Sequence, residues 1–303
     1  MDRHALRQKW INMIGGLPKK TPLDARIVEQ VHEPHYIRQK VWYWSEPNEG
    51  ISAYVLVPTY REPPYPAVVC LHQHNSTFHI GKSEPVGLSG DPDMAYAHEL
   101  AKRGYMTIVP DFKGFEDRRD GVLEGSRFET YLATQAFVQG TTLQRRHVWD
   151  MIRTVDYLLE RPEVDVNRIG CIGHSLGGQE AYFLMASDER VKAGVVNCGI
   201  ANVQSFFDYK VVHNPSWYIP GFLDFGDTAG LIELIAPRPL YMISGLRDPL
   251  FPIPGVQAIV NHANDLYRTY GKEASFRATL FDEGHRFPQE NRMKAYAWIE
   301  QWV

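Results

Sequence analysis

The chain has 303 residues, 44% of them hydrophobic and 22% charged, and carries a formal net charge of −4. That balance suits a soluble globular protein with a substantial core and excludes a disordered or low-complexity chain. With no run of Lys or Arg there is no basic face for a phosphate backbone, so no nucleic-acid partner is expected, and no stretch approaches the roughly 18 consecutive apolar residues of a membrane span.

Residues 1–10 lack the apolar core of a secretion signal. Cys70, Cys171 and Cys198 each fall in or just after an apolar strand-like run, as buried free thiols do, and the odd count fits a reducing compartment. A cytoplasmic protein is therefore expected. After an N-terminal arm of about 25 residues, positions 26–59 alternate apolar and polar. Residues 36–44 and 51–58 then read as an antiparallel opening pair joined by the turn-rich Glu46-Pro47-Asn48-Glu49-Gly50.

Beyond this pair the pattern changes. Apolar strands recur at 67–71, 106–109, 169–172, 194–197, 240–244 and 278–281, with helix-like segments between most of them. Such alternation predicts an α/β fold with a mostly parallel sheet covered on both faces. Residues 142–159 place Leu143, Val148, Met151, Ile152, Val155 and Leu158 at helical spacing before the stop at Arg161-Pro162, and 288–302 form a closing helix. Residues 1–303 read as one domain. One long aperiodic segment, about 199–237, carries Phe206, Phe207, Trp217, Tyr218 and Phe222 and reads as a cap-like insertion whose rings line a substrate pocket.

Gly173-His174-Ser175-Leu176-Gly177 matches G-x-S-x-G and sits between the strand 169–172 and a helix over 178–186, where a nucleophile elbow presents a serine hydroxyl. A serine hydroxyl needs a base, and the base a carboxylate to fix its tautomer. Asp248 follows the strand at 240–244, and His285 follows the strand at 278–281, both at the sheet edge where open α/β sheets bind ligands. Asp282 and Glu283 are rival acids, but they stand too near His285 in sequence for easy contact with its ring. The backbone amide of Leu176 supplies one oxyanion donor, and the loop His72-Gln73-His74-Asn75 supplies the second, from His74 or else from Gln73.

His72, His74 and His79 also offer imidazoles for a metal, but no carboxylate or cysteine at recognisable spacing completes a ligand set, so no metal is expected. Arg118, Arg119 and Arg127 read as a solvated loop face, with contact to an acidic or sugar substrate as the alternative.

The loop Cys70-Leu71-His72-Gln73-His74, Arg161-Pro162-Glu163-Val164-Asp165 before Arg168-Ile169-Gly170, the elbow Gly173 to Gly178, Arg247-Asp248-Pro249 and Glu283-Gly284-His285 together resemble the dienelactone-hydrolase-like and acetyl xylan esterase-like branch of the α/β-hydrolases. The similarity extends over roughly residues 22–303. It implies a Ser175-Asp248-His285 esterase that works through an acyl-enzyme on a small-molecule ester, deacetylation of sugars included, and needs no cofactor. Dienelactone hydrolases proper carry cysteine where Ser175 stands. A homo-oligomer is compatible with this reading. The competing functions are a small-molecule sensor on a hydrolase scaffold and a peptidase-like acyl hydrolase.

Overall fold

The computed structural model describes residues 2–303, and one nine-stranded sheet runs through it. The strands are β1 (Arg26–His32), β2 (Tyr36–Glu46), β3 (Glu49–Pro58), β4 (Tyr65–Leu71), β5 (Met106–Pro110), β6 (Val164–His174), β7 (Ala193–Asn197), β8 (Leu240–Gly245) and β9 (Phe276–Phe281). Their order is β1-β2-β3-β5-β4-β6-β7-β8-β9. The first three strands are antiparallel to one another and β3 is antiparallel to β5; every pair from β5 to β9 is parallel.

Alternation along the inner strands assigns the two faces. Ala67, Val69 and Leu71 of β4 and Leu240 and Met242 of β8 enter one buried cluster, whereas Val68, Cys70, Tyr241 and Ile243 enter the other. The first face is covered by helices Arg3–Met13, Leu143–Leu159, Leu176–Ser187 and Ile253–Thr269, the second by Tyr96–Ala101 and Gln289–Trp302. A strand buried on both sides reads as a continuous apolar run, which is why the sequence shows one at each of these positions.

The amino-terminal part departs from expectation twice. The alternating region holds three strands, because β1 pairs with β2 in addition to the predicted pair. The N-terminal arm contains the helix Arg3–Met13, whose Trp10 is fully buried, stacks on Phe183 at 5.4 Å and donates from Nε1 to Ser187 Oγ at 2.8 Å. The arm thus braces the helix that begins directly after Ser175.

Segment 199–237 folds into the short helices Val203–Asp208, Phe222–Phe225, Asp227–Gly230 and Ile232–Ile235. Asp227 ties it down, accepting from the Val203 and Gln204 amides at 2.7 and 3.0 Å. Its large rings continue the core: Trp217 meets Phe183 edge-on at 5.5 Å and Phe206 at 5.2 Å.

Candidate active site

The order β5-β4-β6 means that the chain leaves β4 toward one side and returns on the other, so the sheet has its topological switch point between β4 and β6. Connections diverge there and open a crevice at the carboxyl ends of the strands. The loop after β4 carries Gln73 and His74, and the residue after β6 is Ser175.

Ser175 has φ 57° and ψ −121°, a region that non-glycine residues rarely occupy and that costs on the order of 1–3 kcal/mol. The surroundings impose it. A Cβ on Gly173 would lie 2.1 Å from the Gly177 carbonyl oxygen, and one on Gly177 would lie 1.8 Å from that of Leu71. Only glycine lets the strand reverse into the helix in so little space. The Ser175 amide donates to Asn197 O at 3.0 Å and its carbonyl accepts from Gln179 N at 2.8 Å, which leaves the side chain facing the cavity.

His285 lines the same cavity. Its Nδ1 donates to Asp248 Oδ2 at 2.7 Å, and Asp248 Oδ1 accepts from the Leu250 amide at 2.9 Å. Parallel pairing of β8 with β9 brings the two loops side by side. The ring of His285 stacks on Phe251 and packs against His174 at 4.6 Å. His174 is fully buried and accepts at Nδ1 from Asn197 Nδ2 at 2.6 Å; burial first, and then the neighbouring His285, hold it well below its ordinary pKa, hence neutral. The rival acids lie elsewhere: Asp282 is exposed and pairs with Arg247, and Glu283 pairs with Arg286.

The loop after β4 is pinned from beneath. Gln73 Nε2 donates to both oxygens of buried Glu84, at 3.1 and 3.0 Å. His72 donates from Nδ1 to Gln73 O at 2.8 Å and accepts at Nε2 from the Phe112 amide at 3.1 Å. Both ring nitrogens are thereby committed, and burial lowers its pKa to about 4, so it cannot share a metal with His74 and the exposed His79. Among the described residues, Cys198, Asp248 and His285 bring three potential ligand atoms within 4.8 Å. Nδ1 of His285 already belongs to Asp248, and burial, reinforced by the Asp248 charge, pushes the Cys198 thiol far up. That cluster is a carboxylate–imidazole pair above a protonated thiol.

The cavity encloses about 630 Å³, within the usual range for small-molecule sites. Of the five rings assigned to it from sequence, only Tyr218 lines it. Phe206, Trp217 and Phe222 are buried in the core, and Phe207 is half exposed in a separate groove. Rings of this size gain more from packing on one another, Trp217 and Phe222 on Phe183 and Phe206 on Trp217, than from standing open to a cavity. The actual walls include Val212, His213, Leu250, Phe251, Gln179, Asn214 and, from helix Ser126–Val138, Ser126, Glu129 and Thr130. That helix goes beyond the elements expected from the sequence, although Ser126-x-x-Glu129 has the spacing of a helix-start signal. Arg118 is buried rather than solvated, donating to Asp150 at 2.7 Å and to Asp111 O at 2.9 Å, while Arg119 and Arg127 are exposed and line no part of the cavity.

A nucleophile elbow after one strand of a mostly parallel sheet, with the acid and the imidazole on the loops after the last two strands, defines an α/β-hydrolase. Residues 51–297 match the dienelactone hydrolase family, and the chain belongs to it. YtaP of Bacillus subtilis (strain 168), assigned as a hydrolase, is 27% identical over 300 residues, 98% of each chain. A protein assigned as an acetyl xylan esterase from Bacteroides fragilis NCTC 9343 superposes with a TM-score of 0.77 at 15% identity, over 98% of this chain and 81% of that one. A glucuronoyl esterase from Solibacter usitatus does so with a TM-score of 0.71 at 15% identity, over 98% and 91%. The chain is a hydrolase, and no described helix is long and apolar enough to cross a membrane.

Proposed function

We propose that this hydrolase is a serine carboxylic-ester hydrolase acting on small acyl esters through an acyl-enzyme. One observation carries the reading: the 2.7 Å bond from His285 Nδ1 to Asp248, at the wall of the cavity that Ser175 enters from a strained backbone. With Nδ1–H held by the carboxylate, the proton-free nitrogen is Nε2, the form of imidazole that can accept a proton from Ser175 Oγ. Attack of Oγ on the ester carbonyl moves the hydroxyl proton to Nε2, and the Leu176 and His74 amides receive the oxyanion. Collapse expels the alcohol, which takes the proton from Nε2 and leaves the acyl group on Ser175. Water then repeats the sequence, with His285 as base, and releases the acid.

The likeness to acetyl xylan and glucuronoyl esterases supports an ester of a carbohydrate alcohol or acid, and a polar lining that includes Asn75, Ser76 and Ser126 suits hydroxyl groups. The test is a fluorophosphonate adduct mapped on the folded protein, with hydrolysis of p-nitrophenyl acetate measured alongside. Labelling at Ser175, absent in Ser175→Ala, and turnover lost in the same variant are expected; folded protein that remains unlabelled at Ser175 overturns the reading.

A further inference from the structure

Among the described residues, Glu129 is the one carboxylate in the cavity wall, and no Lys or Arg lines the cavity with it. The residue is nine-tenths buried, which is costly for an ionised group lacking a counter-charge. Its partner does not supply one. The Ser76 amide donates to His74 Nδ1 at 3.0 Å, so the His74 proton resides on Nε2, and Nε2 donates to Glu129 Oε2 at 3.2 Å. A ring that accepts at one nitrogen and donates at the other is neutral. Glu129 Oε1 accepts from no donor among the described residues, yet it is not among the atoms sealed from solvent. Beside it on the same helix, Ser126 and Thr130 line the cavity without adding a charge, and the Thr130 hydroxyl donates to Ser126 O at 2.7 Å.

We propose that Glu129 sets the specificity of the cavity for uncharged, hydroxyl-bearing esters and against anionic ones. A substrate hydroxyl donates to the open Oε1 and supplies the partner that the protein leaves out. A substrate carboxylate meets a like charge and no cation, which in a partly desolvated site is strongly disfavoured. The inference rests on the ester-hydrolase reading and narrows its substrate class. Glu129 touches the substrate away from the scissile bond and takes no part in the proton transfers.

The test compares two matched substrate pairs on wild type and on Glu129→Gln: mono-O-acetyl methyl xyloside against mono-O-acetyl methyl glucuronoside, and p-nitrophenyl butyrate against p-nitrophenyl hydrogen succinate. The first pair differs by a carboxylate on the alcohol, the second by one on the acyl group. Gln keeps its one oxygen for His74 and turns its NH₂ toward the cavity, so the charge is removed and a substrate hydroxyl is met by a donor in place of an acceptor. In wild type, kcat/KM should favour the neutral member of at least one pair by about tenfold or more, and in Glu129→Gln that ratio should shrink about fivefold, chiefly through KM of the anion. A variant that merely loosens the His74 loop slows both members alike and leaves the ratios fixed. Ratios near one in wild type, or ratios unmoved by the substitution while fluorophosphonate still labels Ser175, overturn the role of Glu129. Absence of Ser175 labelling in folded wild type overturns the serine ester-hydrolase reading beneath it.

Discussion

Replacing Asp248 by Asn tests the site at its most constrained bond. Asp248 uses both oxygens: Oδ2 accepts from His285 Nδ1 and Oδ1 accepts from the Leu250 amide. An asparagine can satisfy one of these donors but not both. If its oxygen stays with Leu250, its NH₂ faces His285 and forces Nδ1 to become an acceptor. The proton then moves to Nε2, and the imidazole can no longer act as a base toward Ser175. If the amide turns over, the base is restored, but the NH₂ meets the Leu250 N–H donor to donor, at about 1–3 kcal/mol for the unmet group. In either arrangement the attraction between carboxylate and imidazolium disappears, worth about 4 kcal/mol for unit charges about 4 Å apart at an effective dielectric of about 20. The active arrangement therefore loses about 5–7 kcal/mol, a fall in kcat of about 10⁴- to 10⁵-fold at about 1.4 kcal/mol per decade. The assay is steady-state hydrolysis of p-nitrophenyl acetate, with the fluorophosphonate labelling rate of Ser175 as a second readout and circular dichroism to establish folding. A folded Asp248→Asn protein that keeps more than about one hundredth of wild-type kcat refutes the reasoning. Asp282→Asn should stay within about twofold of wild type, because that acid is 80% exposed and pairs only with Arg247.

Three other outcomes follow from the same structure. Ser175→Gly abolishes turnover but raises thermal stability by about 1 kcal/mol, since glycine adopts φ 57° without strain, less its larger folding entropy; a lowered Tm counts against a strained elbow. Trp10→Ala destabilises by about 3–5 kcal/mol in urea unfolding, through the lost ring on Phe183 and an orphaned Ser187 hydroxyl; a change below about 1 kcal/mol would mean that the N-terminal helix does not brace the core. His213 is pulled down to about 4, first by burial, with the Leu250 carbonyl opposing. The unfolded chain binds that proton near pH 6.5 and the folded protein does not, so stability is complete above that pH and is lost as pH falls toward 4. Between pH 7 and pH 5 the loss is about 2 kcal/mol. His213→Phe removes this component, so its stability should fall less than that of wild type over the same interval, by chemical denaturation at the two pH values. Comparing the two proteins cancels the opposite contribution of Asp111, which burial raises to about 7 despite the attraction of Lys82. Parallel pH dependences in the two proteins would rule out the buried neutral imidazole.

What the sequence made legible were features whose cause is local. A reversal from strand to helix demands glycine two residues either side of Ser175, so the elbow is spelled out in five adjacent letters. A strand buried on both faces must be apolar throughout, so the parallel strands announce themselves, and the loops after β8 and β9 identify Asp248 and His285 by position. The cavity wall is different in kind. Phe206, Trp217 and Tyr218 carry the same chemistry on the same short segment, and only tertiary neighbours decide that the first two are core: Phe183 on another helix for Trp217, and Trp217 with Phe251 for Phe206. Glu129 was hidden because its helix follows a loop with irregular spacing, and its significance lies in what fails to surround it.

The strand order, also illegible, explains why these pieces meet. Because β4 lies between β5 and β6, the Gln73-His74 loop and the Ser175 elbow emerge from adjacent strands and face each other across the crevice. The helix Leu176–Ser187 then carries the elbow into a buried polar chain. Glu180 accepts from Gln144 at 2.6 Å and meets His147 Nδ1 at 3.0 Å, while Gln179 donates to Ser216 at 2.7 Å and accepts from Asn214 at 3.0 Å. Gln179 and Asn214 are at once members of that chain and walls of the cavity. The insertion is thereby bonded to the nucleophile's own helix, and its position relative to Ser175 is set by fully paired groups in a low-dielectric interior, where an unmet partner is expensive. A cap held in this way acts as a fixed wall, and selection falls to the groups that line it.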